Sequence, residues 1–168
     1  MKKTLEVIDS LIDLGLIRNY AIGGAMGQLY YIEASSTYDL DIMAHLKAET
    51  NSLVPLDGIY QWARANNYPE DKEHIIIEGI PVQFLPAFNE LISDAIENSN
   101  KVTMFGVETY VMKPEYLMAI MLKTGRGKDK TRLVTFFEEC DFDKNLLEVI
   151  LKKFSLIEEY NSFKEKFL

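Results

Sequence analysis

The chain of 168 residues contains one cysteine, two histidines and no long apolar run. With Cys140 alone, no intramolecular disulfide can form and no zinc site can be built from cysteines. His45 and His74 lie far apart in sequence. No segment approaches the roughly 20 apolar residues that a membrane-crossing helix requires. The opening MKKTLEVIDSLIDLGL begins with two lysines, but Glu6, Asp9 and Asp13 interrupt its apolar residues, so no leader-type hydrophobic region is present. Positive charge is also scarce. Eighteen Lys and Arg face 26 Asp and Glu, a net charge of −8, and so acidic a chain is a poor non-specific binder of nucleic acid. No internal repeat or low-complexity linker is found. These absences predict a cytoplasmic protein without a membrane partner.

What is present supports a packed domain: 48% of residues are hydrophobic and 26% charged. Leu5, Ile8, Leu11, Ile12 and Leu16 recur at helical spacing and predict a first helix ending near Gly15. Tyr20-Ala21-Ile22 is a short apolar run, residues 25–32 suit a second helix, and residues 33–38 are polar and turn-rich. Residues 39–44 alternate as a half-buried strand does. Pro55 is suited to the first turn of the next helix, which ends at Asn66-Asn67. Residues 74–78 and 80–85 predict a hairpin about Gly79, residues 87–98 a helix, and residues 101–105 and 107–112 a second hairpin about Gly106. From Pro114 onward the pattern is helical, over 114–123, 130–140, 143–153 and 158–167. The predicted fold class is α+β: an α/β core over residues 1–112 and a helical C-terminal region over 113–168 packed on it. Tyr30, Tyr31, Trp62, Phe84, Phe88, Phe136 and Phe137 are expected in the core. Leu146, Val149, Ile150 and Phe154 form an apolar stripe that can serve the core or a protein partner.

The chemically informative stretch is Ile22-Gly23-Gly24, fourteen residues, then Asp39-Leu40-Asp41-Ile42. Two glycines between a strand and a helix let backbone approach a ligand closely, and the helix start beyond them suits a phosphate. Asp39 and Asp41, two apart on a strand, share one face roughly 7 Å apart, while Leu40 and Ile42 point to the other. Paired carboxylates attract a hard divalent cation such as Mg²⁺ together with a nucleotide's phosphates. Alone, a Gly-Gly is usually a turn and an Asp-x-Asp a solvated strand edge; the ordered combination is much rarer.

This combination resembles the signature of the DNA polymerase β superfamily of nucleotidyltransferases, with a slightly long spacer. The runs Tyr20-Ala-Ile-Gly-Gly-Ala and Ser36-Thr-Tyr-Asp-Leu-Asp-Ile are most similar to the branch of small bacterial AbiEii-like proteins. Residues 80–85 stand where that superfamily places a third carboxylate strand, and the run from Pro114 to Lys130 resembles its later helix, which ends in a basic cluster. The resemblance covers roughly residues 1–140. It implies a mixed-sheet nucleotidyltransferase core. It also implies Gly23 and Gly24 at the phosphates of an NTP, Asp39 and Asp41 on Mg²⁺, and Lys123 and Arg126 reaching the triphosphate, with Asp129 orienting one of them.

One departure bears on catalysis. The third-strand position holds Gln83, between Val82 and Phe84. An amide coordinates weakly and cannot serve as a general base, and Glu78 is on the wrong strand parity to replace it. Three functions follow as alternatives. The first is Mg²⁺-dependent transfer of a nucleoside monophosphate from an NTP to a hydroxyl of an unidentified acceptor (protein, RNA or small molecule). The second is a catalytically impaired nucleotide- or partner-binding member, for example half of a toxin–antitoxin pair. The third is an interaction module with a coincidental motif. The cluster Lys123, Arg126, Lys128, Asp129, Lys130 and Arg132 reads equally as a solvated helix end. His45 is a minor candidate for the site.

Overall fold

The structure, a computed structural model, describes residues 1–32, 37–47 and 55–168. The polar turn read over residues 33–38 lies largely outside them. The elements run α1 (Lys2–Asp13), β1 (Ile17–Ile22), α2 (Gly24–Leu29), β2 (Leu40–Leu46), α3 (Asp57–Ala65), β3 (Glu70–Asp71), β4 (His74–Ile77), β5 (Ile80–Pro86), α4 (Glu90–Glu97), β6 (Asn100–Met104), β7 (Val107–Val111), α5 (Pro114–Thr124), α6 (Gly127–Glu139), α7 (Lys144–Lys153) and α8 (Ile157–Phe167). The fold is α+β, with a mixed sheet of seven strands in the order β3-β4-β5-β2-β1-β7-β6 and helices at the C-terminal end.

Strand parity divides the interior into two layers. Leu40 and Ile42 of β2, Val82 and Phe84 of β5, and Ile75 and Ile77 of β4 face one side, where they meet Leu5, Ile8 and Leu11 of α1 and Ile59 and Ala63 of α3. Ala21 of β1 and Met43 of β2 face the other side, against Leu91, Ile92 and Ala95 of α4, the apolar residues of α5, and Phe136, Leu147 and Phe163 of the later helices. Both hairpins turn through two consecutive positive-φ residues, Glu78-Gly79 (φ 51° and 79°) and Phe105-Gly106 (φ 51° and 78°), the geometry that matches the twist of paired strands.

The C-terminal helices are tied to the core by polar contacts as well as packing. Tyr116 Oη donates to Asp94 Oδ2 of α4 at 2.7 Å, and Lys153 Nζ of α7 pairs with the same oxygen at 2.9 Å. Buried Glu115 accepts the backbone N–H of Asp143 at 2.7 Å. Asp143 in turn accepts the N–H groups of Asn145 and Leu146 and so opens α7 as its cap.

Some boundaries differ from the periodicity reading. Helix α3 begins at Asp57, and Pro55-Leu56 forms a turn ahead of it instead of its first turn. Helix α2 stops at Leu29, because Tyr30 and Tyr31 turn the chain. Strand β3 is only two residues long, too short for any alternation to mark. Phe88 and Tyr30 are 71% and 42% exposed, so neither is a core residue, and Val149 of the tail stripe is exposed as well.

Helix α4 allows a direct test of these energetics. Its cap Asn89 accepts the Ile92 N–H at 2.9 Å. Asn89→Ala is expected to lower unfolding stability by about 1 kcal/mol, whereas Phe88→Ala next to it should stay within about 0.5 kcal/mol of wild type, both read by urea denaturation.

Candidate active site

The end of β1 and the beginning of β2 create the site's central feature. Ile22 pairs with Ile42 in the antiparallel ladder, and the Gly23 N–H continues it by donating to the Asp41 carbonyl at 3.0 Å. The parallel ladder between β2 and β5 sets Asp41 beside Gln83. The β4/β5 register pairs Ile75 with Val82, Ile76 with Pro81 and Ile77 with Ile80; carried one residue outward, it sets His74 beside Gln83. One row therefore crosses four strands: Gly23, Asp41, Gln83, His74. The row next to it, Leu40, Val82 and Ile75, is core. Because side chains alternate across a strand, Asp41, Gln83 and His74 all project toward the helical side.

There they line a cleft of about 510 Å³ with Gly24, Gln28, Thr37, Asp39 and Glu73. Leu117, Ile120 and Met121 of α5 and Arg126, Lys128, Asp129 and Arg132 around the start of α6 form the opposite wall. Asp39 lies one residue ahead of β2 and accepts a hydrogen bond from the Thr37 hydroxyl.

Both glycines are required by close packing within the chain itself. A Cβ on Gly24 would stand 1.7 Å from Asp41 Oδ2, and the residue has φ +53°. A Cβ on Gly23 would stand 2.3 Å from the Met43 sulfur. The glycine pair thus admits the Asp41 carboxylate and the Met43 side chain to the end of β1.

Burial pushes the Asp41 carboxyl above the ordinary carboxylate range, and the negative charge of Asp39 adds to the effect; His74, Lys128 and Arg132 act in the opposite direction. Asp129 behaves differently. It is 1% exposed, and burial alone would raise its pKa. The Arg126 guanidinium, which donates through Nε at 2.7 Å and Nη2 at 3.2 Å, and the Thr124 hydroxyl at 2.8 Å outweigh that and hold it below the usual range. The two-point contact fixes the orientation of Arg126.

Among the residues anticipated from sequence, Gly24, Asp39, Asp41, Gln83 and Arg126 converge on the cleft, and Gly23 adjoins it. Lys123 is exposed near the end of α5 and is not part of the lining. His45 lies toward the far end of β2, where its ring nitrogens bond Asn19 Oδ1 at 2.6 Å and Ser93 Oγ at 2.7 Å. It borders a different pocket, of about 560 Å³, with Arg18, Lys47 and Phe88 but no pair of carboxylates. The sequence reading assigned no role to Gln28, Glu73 or His74, and gave Lys128 and Arg132 only membership of a basic cluster. The latter two are spaced i, i+4 and so share one face of α6, a signal available in advance. His74 required knowledge of strand register.

Among the described residues, two buried side-chain polar atoms lack a hydrogen-bond partner, Gln28 Oε1 and His74 Nε2, and both residues line this cleft. Buried polar atoms are ordinarily satisfied, so their coincidence here marks the cleft as a place for a polar ligand. The amide of Gln28 donates only to the Met121 sulfur, at 3.5 Å.

The structure is similar to the crystal structure of an antigenic nucleotidyltransferase-like protein from Paracoccidioides brasiliensis, with a TM-score of 0.56 and 12% sequence identity over 98% of this chain and 90% of that one. At that identity the likeness is one of fold: the chain has a nucleotidyltransferase-like fold over nearly its whole length. No protein-family model matches the sequence, and no curated protein matches it. No helix among the described residues is long and apolar enough to cross a membrane.

Two expected outcomes test this geometry. Gly24→Ala must displace Asp41 and occupy a left-handed conformation, so it should cost at least about 2 kcal/mol of unfolding stability, measured by urea denaturation. The raised Asp41 pKa favours the protonated carboxyl in the folded state; that stabilisation is present below the unfolded value and is lost as pH rises through the folded one. The melting temperature of Asp41→Asn relative to wild type should therefore rise as pH increases above the ordinary carboxylate range in metal-free buffer.

Proposed function

We propose that this protein is a Mg²⁺-dependent nucleotidyltransferase, which moves a nucleoside monophosphate from an NTP to a hydroxyl of a protein, RNA or small-molecule acceptor. The observation that carries this reading is the cleft. It gathers Gly24, Asp39 and Asp41 from the first quarter of the chain with Arg126, Lys128 and Arg132 from the last third, in a fold shared with a nucleotidyltransferase-like protein.

The donor set fits one hard cation. Asp39 and Asp41 would hold it, and Mg²⁺ commonly takes one or two carboxylates and completes its shell with phosphate oxygens and water. Burial and the negative charge of Asp39 both disfavour the charged Asp41 carboxylate, a cost that a cation would relieve. Among the described residues no group of three or more His, Cys, Asp or Glu is placed to hold a metal. When bound, the cation would neutralise phosphate charge and draw electrons from the phosphorus under attack.

The chain's own cations supply the rest. Arg126, held by Asp129, presents its remaining N–H groups to phosphate oxygens with two-point geometry, while Lys128 contributes a point charge. The excess of acid over base elsewhere on the chain disfavours binding to bulk nucleic acid and leaves a local basic wall suited to a small polyanion.

A second reading is favoured by Gln83. It stands beside Asp41 in register, where a carboxylate would complete the acidic set, and an amide there suits a nucleotide- or partner-binding member without transfer activity. The AbiEii-like resemblance rests on the runs from Tyr20 to Ala25 and from Ser36 to Ile42, and a place in a toxin–antitoxin pair belongs with this second reading.

Melting with each NTP, with and without Mg²⁺, tests the nucleotide site. At a ligand concentration 100 times the dissociation constant the fold should gain about 2.7 kcal/mol, and the double substitution Asp39→Ala/Asp41→Ala should abolish the gain. Turnover then separates the two readings. Under the second, wild type is inert and Gln83→Asp creates activity; wild-type turnover at about 1 per second or faster removes that reading.

A further inference from the structure

The row Gly23, Asp41, Gln83, His74 arranges the cleft as a line perpendicular to the strands. Neighbouring strands lie about 4.8 Å apart, so the backbone of His74 stands about 5 Å from that of Gln83 and about 10 Å from that of Asp41. His74 is on the side away from Gly24. Its Nε2 is buried and has no hydrogen-bond partner, and its ring lines the cleft.

In-line displacement at phosphorus requires the attacking oxygen to arrive opposite the leaving group. With the triphosphate at the Gly24 end and against the α6 cations, the attacking hydroxyl enters from the β5 and β4 side. The group nearest that entry on the row is Gln83, which has no basic atom. The next is His74, whose neutral imidazole carries a basic ring nitrogen. We propose that His74 is the catalytic base of this cleft: its Nε2 binds the acceptor hydroxyl and takes its proton, the function that the amide at Gln83 cannot perform. This inference rests on the nucleotidyltransferase reading and adds the group that the acidic set lacks.

The acceptor O–H bond breaks, its proton passes to His74 Nε2, and the oxygen forms a bond to the α-phosphorus of the NTP. The bond from that phosphorus to the bridging oxygen breaks, and pyrophosphate leaves. With water as acceptor the products are nucleoside monophosphate and pyrophosphate. The charged groups that share the cleft with His74 are Asp39 and Asp41, the adjacent Glu73, and Arg126, Lys128, Asp129 and Arg132 around the start of α6, while Asp71 stands opposite it on β3. His45 is engaged through both ring nitrogens with Asn19 and Ser93, at a different pocket.

The experiment compares wild type, His74→Gln and His74→Asn. One readout is the melting shift induced by Mg²⁺ and NTP; the other is pyrophosphate released from NTP with water as acceptor, followed against pH. Melting without ligand checks that each variant is folded, and the two amides guard against the failure of either one. The expected result is an unchanged nucleotide-induced shift in the variants with pyrophosphate release reduced at least about 100-fold. The pH dependence of the wild-type rate should also be lost in the variants. Release within threefold of wild type in a folded variant overturns the proposal, as does wild type that binds NTP without releasing pyrophosphate. An absent nucleotide-induced shift in wild type overturns the nucleotidyltransferase reading itself, and His74 with it.

Discussion

Everything at this site depends on the Asp41 carboxylate standing in the space where Gly24 would carry a side chain. An Oδ2 only 1.7 Å from that virtual Cβ means that α2 must open with a residue without one. The same contact fixes which way Asp41 projects and keeps it half-buried. Burial then sets its electrostatics. The carboxyl is pushed upward by lost hydration and by Asp39, and the cations of α6 oppose that push. Geometry, acidity and affinity for positive charge thus come from one packing decision at the junction of two strands.

The opposing wall has its own constraint. Burying Asp129 would be unfavourable without partners, and it receives three hydrogen bonds from Arg126 and Thr124. The result is a guanidinium fixed at the start of α6. The helices that carry it are anchored at a distance, through Asp94 receiving both Tyr116 and Lys153. The basic wall is therefore held by contacts unrelated to ligand chemistry, a division of labour that leaves Lys128 and Arg132 free of structural duty among the ion pairs of the described residues.

Much of this was legible in the residues alone. Alternation located β2, apolar runs flanking Gly79 and Gly106 located both hairpins, and the alternation of β2 put Asp39 and Asp41 on one face, since strand parity is local information. The glycines were legible as a close approach, but not what approached: their neighbours are Asp41 and Met43, which no spacing rule identifies. Phe88 looked like core because it sat at an apolar-periodic position, yet it precedes α4 outside the packed layers. Lys123 looked like a phosphate contact because charge density cannot tell which face of a helix meets a cleft. His74 was invisible for a further reason. Its place beside Gln83 follows from the registers of two hairpin strands and a parallel pairing, which bring residues from distant segments into one row.

The two walls of the cleft come from opposite ends of the sequence, separated by about ninety residues between Asp41 and Lys128. Strand β2 meets its parallel neighbour β5 through partners 42 positions apart, as Leu40 with Val82, and such non-local pairings form slowly. During synthesis the sheet can gather its strands while α5 and α6 are still in the ribosome, but the cationic wall cannot yet exist. The cleft lacks its second wall until α6 has docked. A polyanion that bridges the two walls would act as a clasp on the finished fold, and its loss would loosen the two halves together.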